Sequence, residues 1–207
     1  ISEINYQSSP QFDPGDWFEV VNTEEIPLSL AGWSVRDGNP ENLTTLGDLV
    51  IQPGEVMVFA ADSFLFSGIF STIPPPNQAL NFNLSADGDR IALYDPVSRM
   101  ADEVEYSPVP PWPDASGNGS TLILTDLFED NTNPFFWIAG PFGGTPFGYG
   151  DWNPDWPSYG AVGVKVQGPM PSAGNTTLLL TVISSVAVEI CLYDIAGRAV
   201  LEPEVMD

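Results

Sequence analysis

The sequence has no histidine, and its only cysteine is Cys191. The lack of histidine excludes Ser-His and Cys-His catalysis and any histidine-ligated metal site. A single cysteine excludes a disulfide within the chain. No apolar run reaches the roughly 18 residues that a membrane-spanning helix needs, so we expect no membrane insertion. Any chemistry must therefore come mainly from carboxylates, hydroxyls and aromatic rings.

Basic residues are also scarce. The chain has 5 Lys and Arg against 28 Asp and Glu, which gives a formal net charge of −23. Such a surface repels phosphate groups, so nucleic acids and anionic membranes are poor partners. Cations, basic proteins and neutral glycans stay open as partners, and the charge could equally serve solubility alone. With 43% hydrophobic residues, the chain is too apolar to be disordered.

Alternating apolar residues predict short β-strands along most of the chain. The pattern is clearest in residues 84–112, where Ile91 and Leu93 share one face of a strand. On the following strand Val104 and Tyr106 share a face. Two antiparallel strands of this kind need an apolar layer beneath them, and we expect the rest of the chain to supply it.

Three other stretches carry separate predictions. Residues 28–36 alternate and predict one strand. Residues 56–61 are apolar at both parities, which predicts a central strand that is covered on both faces. Residues 64–70 could form one short helical turn, and the prolines at 74–76 would stop it.

This spacing of strands and turns predicts an all-β fold. We expect about seven strands in a β-sandwich that occupies residues 1–148. Residues 149–160, rich in Pro, Gly and Asp, predict a linker. Residues 161–207 predict three to four more strands, too few for a confident independent core, so we expect a partial second unit. A bare strand edge there would favour homo-association.

Acidic clusters are the candidate metal sites, with calcium as the ion and no other cofactor expected. The residues concerned are Asp13, Asp16 and Glu19 in one cluster, and Asp151, Asn153 and Asp155 in another. The second has the spacing that opens a calcium loop, but Trp156 occupies the glycine position and Val162 the place of the last glutamate. Alternatively, all of these side chains cap backbone N–H groups in solvated turns.

Aromatic residues fall into two groups. The candidate ligand contacts lie in the linker and are Tyr149, Trp152, Trp156 and Tyr159. Exposed rings of this kind stack on sugars or on protein partners, although they could instead wedge between two domains. Residues expected to serve structure are Trp17, Trp33, Tyr94, Trp112 and Trp137, together with Arg90. Arg36 and Arg90 are each expected to pair with a nearby Asp and so hold a turn, Arg90 lying next to Asp89.

Residues 1–148 resemble the bacterial lamin-tail domain family. The motifs that carry the resemblance are Ile-Ser-Glu-Ile-Asn-Tyr at 1–6, Asp-Pro-Gly-Asp-Trp-Phe-Glu-Val-Val-Asn at 13–22, Leu-Ala-Gly-Trp-Ser-Val-Arg-Asp-Gly at 30–38, Leu-Ser-Ala-Asp-Gly-Asp-Arg-Ile-Ala-Leu-Tyr-Asp at 84–95, Pro-Trp-Pro at 111–113 and Gly-Gly-Thr-Pro at 143–146. The resemblance implies an immunoglobulin-like sandwich and a non-catalytic accessory module of a secreted or cell-surface bacterial protein.

Residues 168–201 look like the front half of a C-terminal sorting domain of the type IX secretion class, a small immunoglobulin-like unit. The stretch Tyr-Asp-Ile-Ala-Gly-Arg at 193–198 carries most of that resemblance.

The sequence therefore favours a non-catalytic extracellular interaction module whose protein or glycan partner is not defined. Neither a Gly-x-Ser-x-Gly elbow nor a phosphate-binding loop is present, so we expect no enzyme. Two alternatives remain. One is a calcium-assisted carbohydrate-binding module, and the other is a structural spacer next to a catalytic domain elsewhere in a longer protein.

Overall fold

The computed structural model describes residues 1–148 and four later strands at 162–167, 177–182, 188–193 and 199–206. The chain divides into two compact units, Ile1–Trp152 and Asn153–Asp207. Among the described residues, no helix is long and apolar enough to cross a membrane.

The described part of the first unit consists of short strands with one helix and one 3₁₀ turn. The elements are β1 (Glu3–Asn5), β2 (Trp17–Val21), β3 (Leu28–Ser29), β4 (Ser34–Arg36), β5 (Leu43–Thr45), β6 (Val50–Ile51), β7 (Val56–Ala60), α1 (Ser63–Ile69), β8 (Gln78–Ala79), β9 (Asp89–Tyr94), β10 (Met100–Tyr106), β11 (Leu122–Leu124), the 3₁₀ turn Pro134–Phe136 and β12 (Trp137–Ala139).

Two sheets and a small strand pair build this unit. The larger sheet has the order β12-β11-β1-β2-β7-β8, and the smaller one the order β10-β9-β4-β5, while β3 pairs with β6. Their facing side chains form one apolar core, whose members include Ile4, Phe18, Val35, Phe59, Ile91, Leu93, Val104, Tyr106, Leu122 and Trp137. This arrangement confirms the predicted immunoglobulin-like β-sandwich.

The larger sheet is covered on both faces. Phe18 on β2 stacks with Phe59 on β7, with ring centroids 5.4 Å apart, on the face that points to the other sheet. Trp17 and Val58 have the opposite parity and join a second cluster with Phe66 of α1. The prediction that residues 56–61 form a strand covered on both faces is confirmed, since side chains of both parities are buried.

Helix α1 supplies part of that second cover. Its N-terminus is capped by Asp62, whose carboxylate accepts hydrogen bonds from the backbone N–H groups of Phe64 and Leu65, both at 2.9 Å. The helix is longer than the single turn that the sequence predicted, and it ends at Ile69, ahead of the prolines. Only Phe66 is buried, so one side chain fixes the helix to the sheet.

The prediction of one strand over residues 28–36 is wrong. The segment forms β3 and β4, which belong to different sheets, and the chain turns between them at Gly32, where φ is +75°. That turn has the N–H of Trp33 donating to the carbonyl of Leu30. The large apolar residues change parity at this turn, from Leu28 and Leu30 to Trp33 and Val35, so the sequence carried a signal of the break that the prediction of one strand missed. Strands β5, β8 and β12 were not predicted.

In the second unit, the described strands form two antiparallel pairs. They are β13 (Val162–Gln167) with β14 (Thr177–Val182), and β15 (Val188–Tyr193) with β16 (Ala199–Met206). The sequence predicted three to four strands in this part of the chain, and four are described. The resemblance to a sorting domain and the expected homo-association through this unit stay predictions.

Replacing Phe66 by alanine tests the anchoring of α1. Because the ring is fully buried against Trp17, with centroids 6.0 Å apart, the change should lower the free energy of unfolding by about 3–4 kcal/mol. The control is Phe64→Ala in the same helix, where the side chain is 86% exposed and the expected change is below about 0.5 kcal/mol. Urea unfolding measures both, and equal effects would contradict this account of the helix.

Candidate functional site

The acidic residues predicted near the N-terminus do not come together as a metal site. Asp16 lies just before β2 and Glu19 lies within it, and their carboxylates accept hydrogen bonds from different segments, around Leu84 and Phe147. Asp13 accepts a hydrogen bond from the N–H of Gly15, and Asp16 accepts one from the N–H of Leu84 at 2.9 Å. Within the described residues, no group of three or more acidic or cysteine side chains could hold a metal ion. For Asp13 and Asp16, the alternative of turn-capping carboxylates describes what the structure shows.

The other candidate metal ligands lie outside the described residues, and so do the candidate aromatic contacts. They are Asp151, Asn153 and Asp155, with Tyr149, Trp152, Trp156 and Tyr159. The calcium-assisted carbohydrate-binding alternative depends on these residues and stays a prediction.

The tryptophans assigned to structure lie in the first unit. Trp17 is fully buried, and Trp112 and Trp137 contact each other with ring centroids 5.8 Å apart. The indole N–H of Trp137 donates to the carbonyl of Asn131 at 2.8 Å. Trp33 is only partly buried and packs against the edge of the main core.

Arg90 forms an ion pair, but its partner is not Asp89. The guanidinium donates to Glu103 at 2.6 Å across the β9–β10 pair and to the hydroxyl of Tyr94 at 3.2 Å. Asp89 instead accepts from the backbone N–H of Arg90. Arg36, for which an aspartate partner was also predicted, lies over the ring of Tyr94 at 5.2 Å. Tyr94 thus contacts both arginines, Arg36 through its ring and Arg90 through its hydroxyl, because β4 and β9 are neighbours in the sheet.

A cleft of about 340 Å³ opens at one end of the sandwich, between its two sheets. Its floor is formed by side chains of the main core, to which both sheets and the β3–β6 pair contribute. The apolar side chains involved are Val20, Leu28, Leu30, Ile51, Leu93 and Leu124. Trp33 lines the same cleft.

Carboxylates surround the mouth of this cleft. Glu24, Asp102 and Glu129 contribute to its lining from three different segments. Glu24 and Glu129 are exposed and have no positively charged side chain among the lining residues. Asp102 accepts from the side chain of Asn131 at 2.8 Å and pairs with the amino group of Ile1. The rim is therefore acidic while the floor is apolar.

The same three segments also expose large apolar side chains. Ile26, Met100 and Phe128 are 68%, 49% and 84% exposed, and each lies within two residues of a residue that lines the cleft. Exposed apolar side chains that accompany an apolar cleft are typical of interaction surfaces.

A second feature lies on the outer face of the larger sheet. Glu3 on β1 and Glu19 on β2 are directly opposite each other in the register, and both are fully buried. Glu3 accepts hydrogen bonds from the hydroxyl of Thr121 at 2.6 Å, the N–H of Thr145 at 2.8 Å and the hydroxyl of Thr145 at 2.7 Å. Glu19 accepts from the N–H of Phe147 through Oε1, and its Oε2 has no partner.

Burial changes the acidity of both groups. Desolvation raises the pKa of Glu3 to about 7, although the hydrogen bonds from Thr121 and Thr145 oppose this rise. Desolvation also raises the pKa of Glu19, and the neighbouring charge of Glu3 raises it further. At neutral pH the pair therefore retains at least part of one proton.

Sequence reasoning identified Glu19 as a metal ligand and missed its pairing with Glu3. In the strand 1–6, Ile4 and Tyr6 mark the inner face, so Glu3 has the parity of an outward residue. A chain segment that arrives more than 140 positions later buries it, as the contacts of Thr145 show. Periodicity carries no signal for such a cover, although Gly-Gly-Thr-Pro at 143–146 is one of the motifs of the family resemblance.

Comparison with family models matches residues 1–108 to the Lamin Tail Domain family. No curated protein matches the chain.

The carboxyl of Asp16 provides a pH test. Burial raises its pKa to about 6, so between roughly pH 4 and pH 6 the folded state binds more protons than the unfolded state. Stability contributed by this group is present at pH 4 and is lost as the pH rises through 6. Relative to Asp16→Asn, the wild type should lose up to about 3 kcal/mol of unfolding free energy between pH 4 and pH 7. Denaturant unfolding at the two pH values measures the difference.

The exposed residue Asp48 offers a matched control. Asp48→Asn should change the unfolding free energy by less than about 0.5 kcal/mol at both pH values. If wild type and Asp16→Asn keep a constant difference, Asp16 does not hold a proton in the folded state.

Proposed function

The chain belongs to the lamin tail domain family, and from this premise we propose that its first unit is a non-catalytic interaction module. We propose further that the contact surface is the cleft at the end of the sandwich. Its partner would be a protein segment that carries both apolar and basic side chains. The observation that carries the proposal is the combination of an apolar floor with an acidic rim in a single cleft.

The floor supports the apolar part of the proposal. Leu30, Ile51 and Leu93 belong to the packed core, so the floor is preformed. Its side chains therefore lose little conformational entropy when a partner binds. A volume of about 340 Å³ accommodates one or two large side chains. An aliphatic or aromatic anchor from the partner would displace water from this surface.

The rim supports the basic part of the proposal. Glu24 and Glu129 project from separate segments at the mouth, and the chain as a whole carries a net charge of −23. Such a field attracts cationic partners over a Debye length and repels anionic ones. A lysine or arginine next to the apolar anchor would therefore contact the rim.

A binding role agrees with the fold. An immunoglobulin-like sandwich presents loops and clefts on a rigid body, and function comes from the residues grafted there. The expected setting, a secreted or cell-surface bacterial protein, stays a prediction that the sequence resemblance carries.

The test uses a short capped peptide of alternating leucine and lysine as the probe. On titration, the indole signal of Trp33 in a ¹H–¹⁵N spectrum should shift, because this ring lines the cleft. The double variant Glu24→Gln, Glu129→Gln should weaken binding about fivefold, since each exposed charge contributes roughly 0.5 kcal/mol. A peptide of leucine and glutamate should not bind.

The control removes the same charge elsewhere. Glu41 and Asp48 are exposed and do not line the cleft, so Glu41→Gln, Asp48→Asn should leave the affinity within about twofold of wild type. Equal losses in the two double variants would show that only long-range charge acts. An unshifted Trp33 signal would place any binding outside the cleft.

A further inference from the structure

Residues 144–148 form a strap over the outer face of the larger sheet. Its backbone hydrogen bonds from Gly144 and Gly148 stay within residues 141–148. All hydrogen bonds described between the strap and the rest of the first unit end on Glu3 or Glu19. The strap is thus attached by two carboxyl groups and by the packing of Phe147 against the second apolar cluster.

The strap packs closely against the larger sheet at Gly144, and no space is left at this residue for an added ion or water molecule. A Cβ atom at this position would overlap Oε1 of Glu3 and would lie 2.7 Å from a methyl group of Thr121 and 3.0 Å from the ring of Trp17. A φ of +72° at Gly144, after +87° at Gly143, makes the sharp turn that brings the strap down.

Within residues 1–148, the pair has no cationic side chain as a partner. The arginines in residues 1–148 are Arg36, Arg90 and Arg99, and they lie on β4, on β9 and in the β9–β10 turn of the smaller sheet. Around the pair, β7 contributes Val58, β11 contributes Ile123, and α1 contributes Phe66 to the neighbouring cluster, none of which ionises. Among the described residues, the amino group of Ile1 acts on Glu19 as a positive charge and opposes the rise in its pKa.

The position of the proton follows from the hydrogen bonds. Glu3 accepts from three donors, which stabilises its ionised form, whereas Glu19 accepts from only one. Oε2 of Glu19 is buried and has no donor, and an ionised oxygen in that state is strongly unfavourable. We propose that the strap is a proton-dependent latch, which closes with one proton on Glu19 and opens when that proton leaves.

The direction of the pH effect follows from linkage. The closed state holds protons that solvent-exposed glutamates would release near pH 4–5, so raising the pH favours the open state. Above pH 7, where Glu3 is ionised, the one remaining proton makes the opening equilibrium rise about tenfold per pH unit. Phe147, a non-glycine residue with a φ of +61°, relaxes on opening and so also favours the open state.

Amide hydrogen exchange on the full chain tests the latch at Thr145 and Phe147, whose N–H groups donate to the pair. After correction for intrinsic exchange, their protection factors should fall as the pH rises from 7 to 9 in the wild type, by up to about tenfold per unit. In Glu19→Gln, which mimics the protonated group, they should stay within about twofold over the same range. Glu105→Gln, at an exposed position on β10, should behave like the wild type.

Two further measurements keep the latch falsifiable. Thr145→Val removes one hydroxyl donor to Glu3 and should lower protection of the Phe147 amide about tenfold at every pH, with the slope unchanged. The amides of Phe18 and Val58 report on the sheet itself and should not follow the strap. Equal slopes in wild type and Glu19→Gln would overturn the proposal. A parallel loss at Phe18 would likewise overturn it, because the proton would then stabilise the whole unit.

Discussion

Two carboxyl groups are buried side by side on the larger sheet, and no cationic side chain of residues 1–148 pairs with them. The outer face of this sheet depends on that constraint. The free energy of ion burial leaves two remedies, which are hydrogen-bond donors and protons. Glu3 collects three donors, and Glu19 retains a proton and one donor. The strap provides most of these donors, through Thr145 and Phe147. It also covers the two carboxyl groups, and their burial is what favours the proton. The conformation of residues 144–148 and the protonation state of the pair are therefore coupled: a change in one changes the other.

The sheet needs this cover because its central strands are apolar in both directions. β2 and β7 send alternate side chains into the main core and into a smaller cluster around Trp17 and Phe66. That smaller cluster is closed by one helix of two turns and by the strap. A short helix is weak on its own, so packing against the sheet must hold it in place. The outer face is thus covered partly by apolar packing around Trp17 and Phe66 and partly by hydrogen bonds to Glu3 and Glu19.

The parts of the fold that could be predicted from the sequence are those that a short stretch of residues determines by its own pattern. Period-two alternation gave the inner residues Ile91, Leu93, Val104 and Tyr106, and apolar residues at both parities gave the doubly covered strand β7. The division of residues 28–36 between two sheets was missed, although the large apolar residues change parity at Gly32, from positions 28 and 30 to positions 33 and 35. β8 is two residues long and pairs in parallel with β7, which no local pattern encodes.

The candidate sites show the same limit. Asp13, Asp16 and Glu19 are close in sequence, yet their carboxylates accept hydrogen bonds from Gly15, Leu84 and Phe147, so they do not form one site. Arg90 was correctly assigned to an ion pair, but its partner Glu103 is defined by the β9–β10 register rather than by adjacency. The cleft gathers its carboxylates from segments around Glu24, Asp102 and Glu129, which only the fold brings together.

The placement of the few cationic side chains explains why the cleft and the Glu3–Glu19 pair neutralise their negative charge in different ways. All three arginines of residues 1–148 are on the smaller sheet, where Arg36 and Arg90 contact Tyr94 and Arg99 pairs with Asp95 at 2.8 Å. No cationic side chain from these residues is left for the cleft or for the Glu3–Glu19 pair. At the exposed rim of the cleft, water screens the uncompensated charge, which stays available to a basic partner. The Glu3–Glu19 pair is instead buried, so solvent does not screen its charge, and a proton bound by the pair takes the place of a cationic side chain.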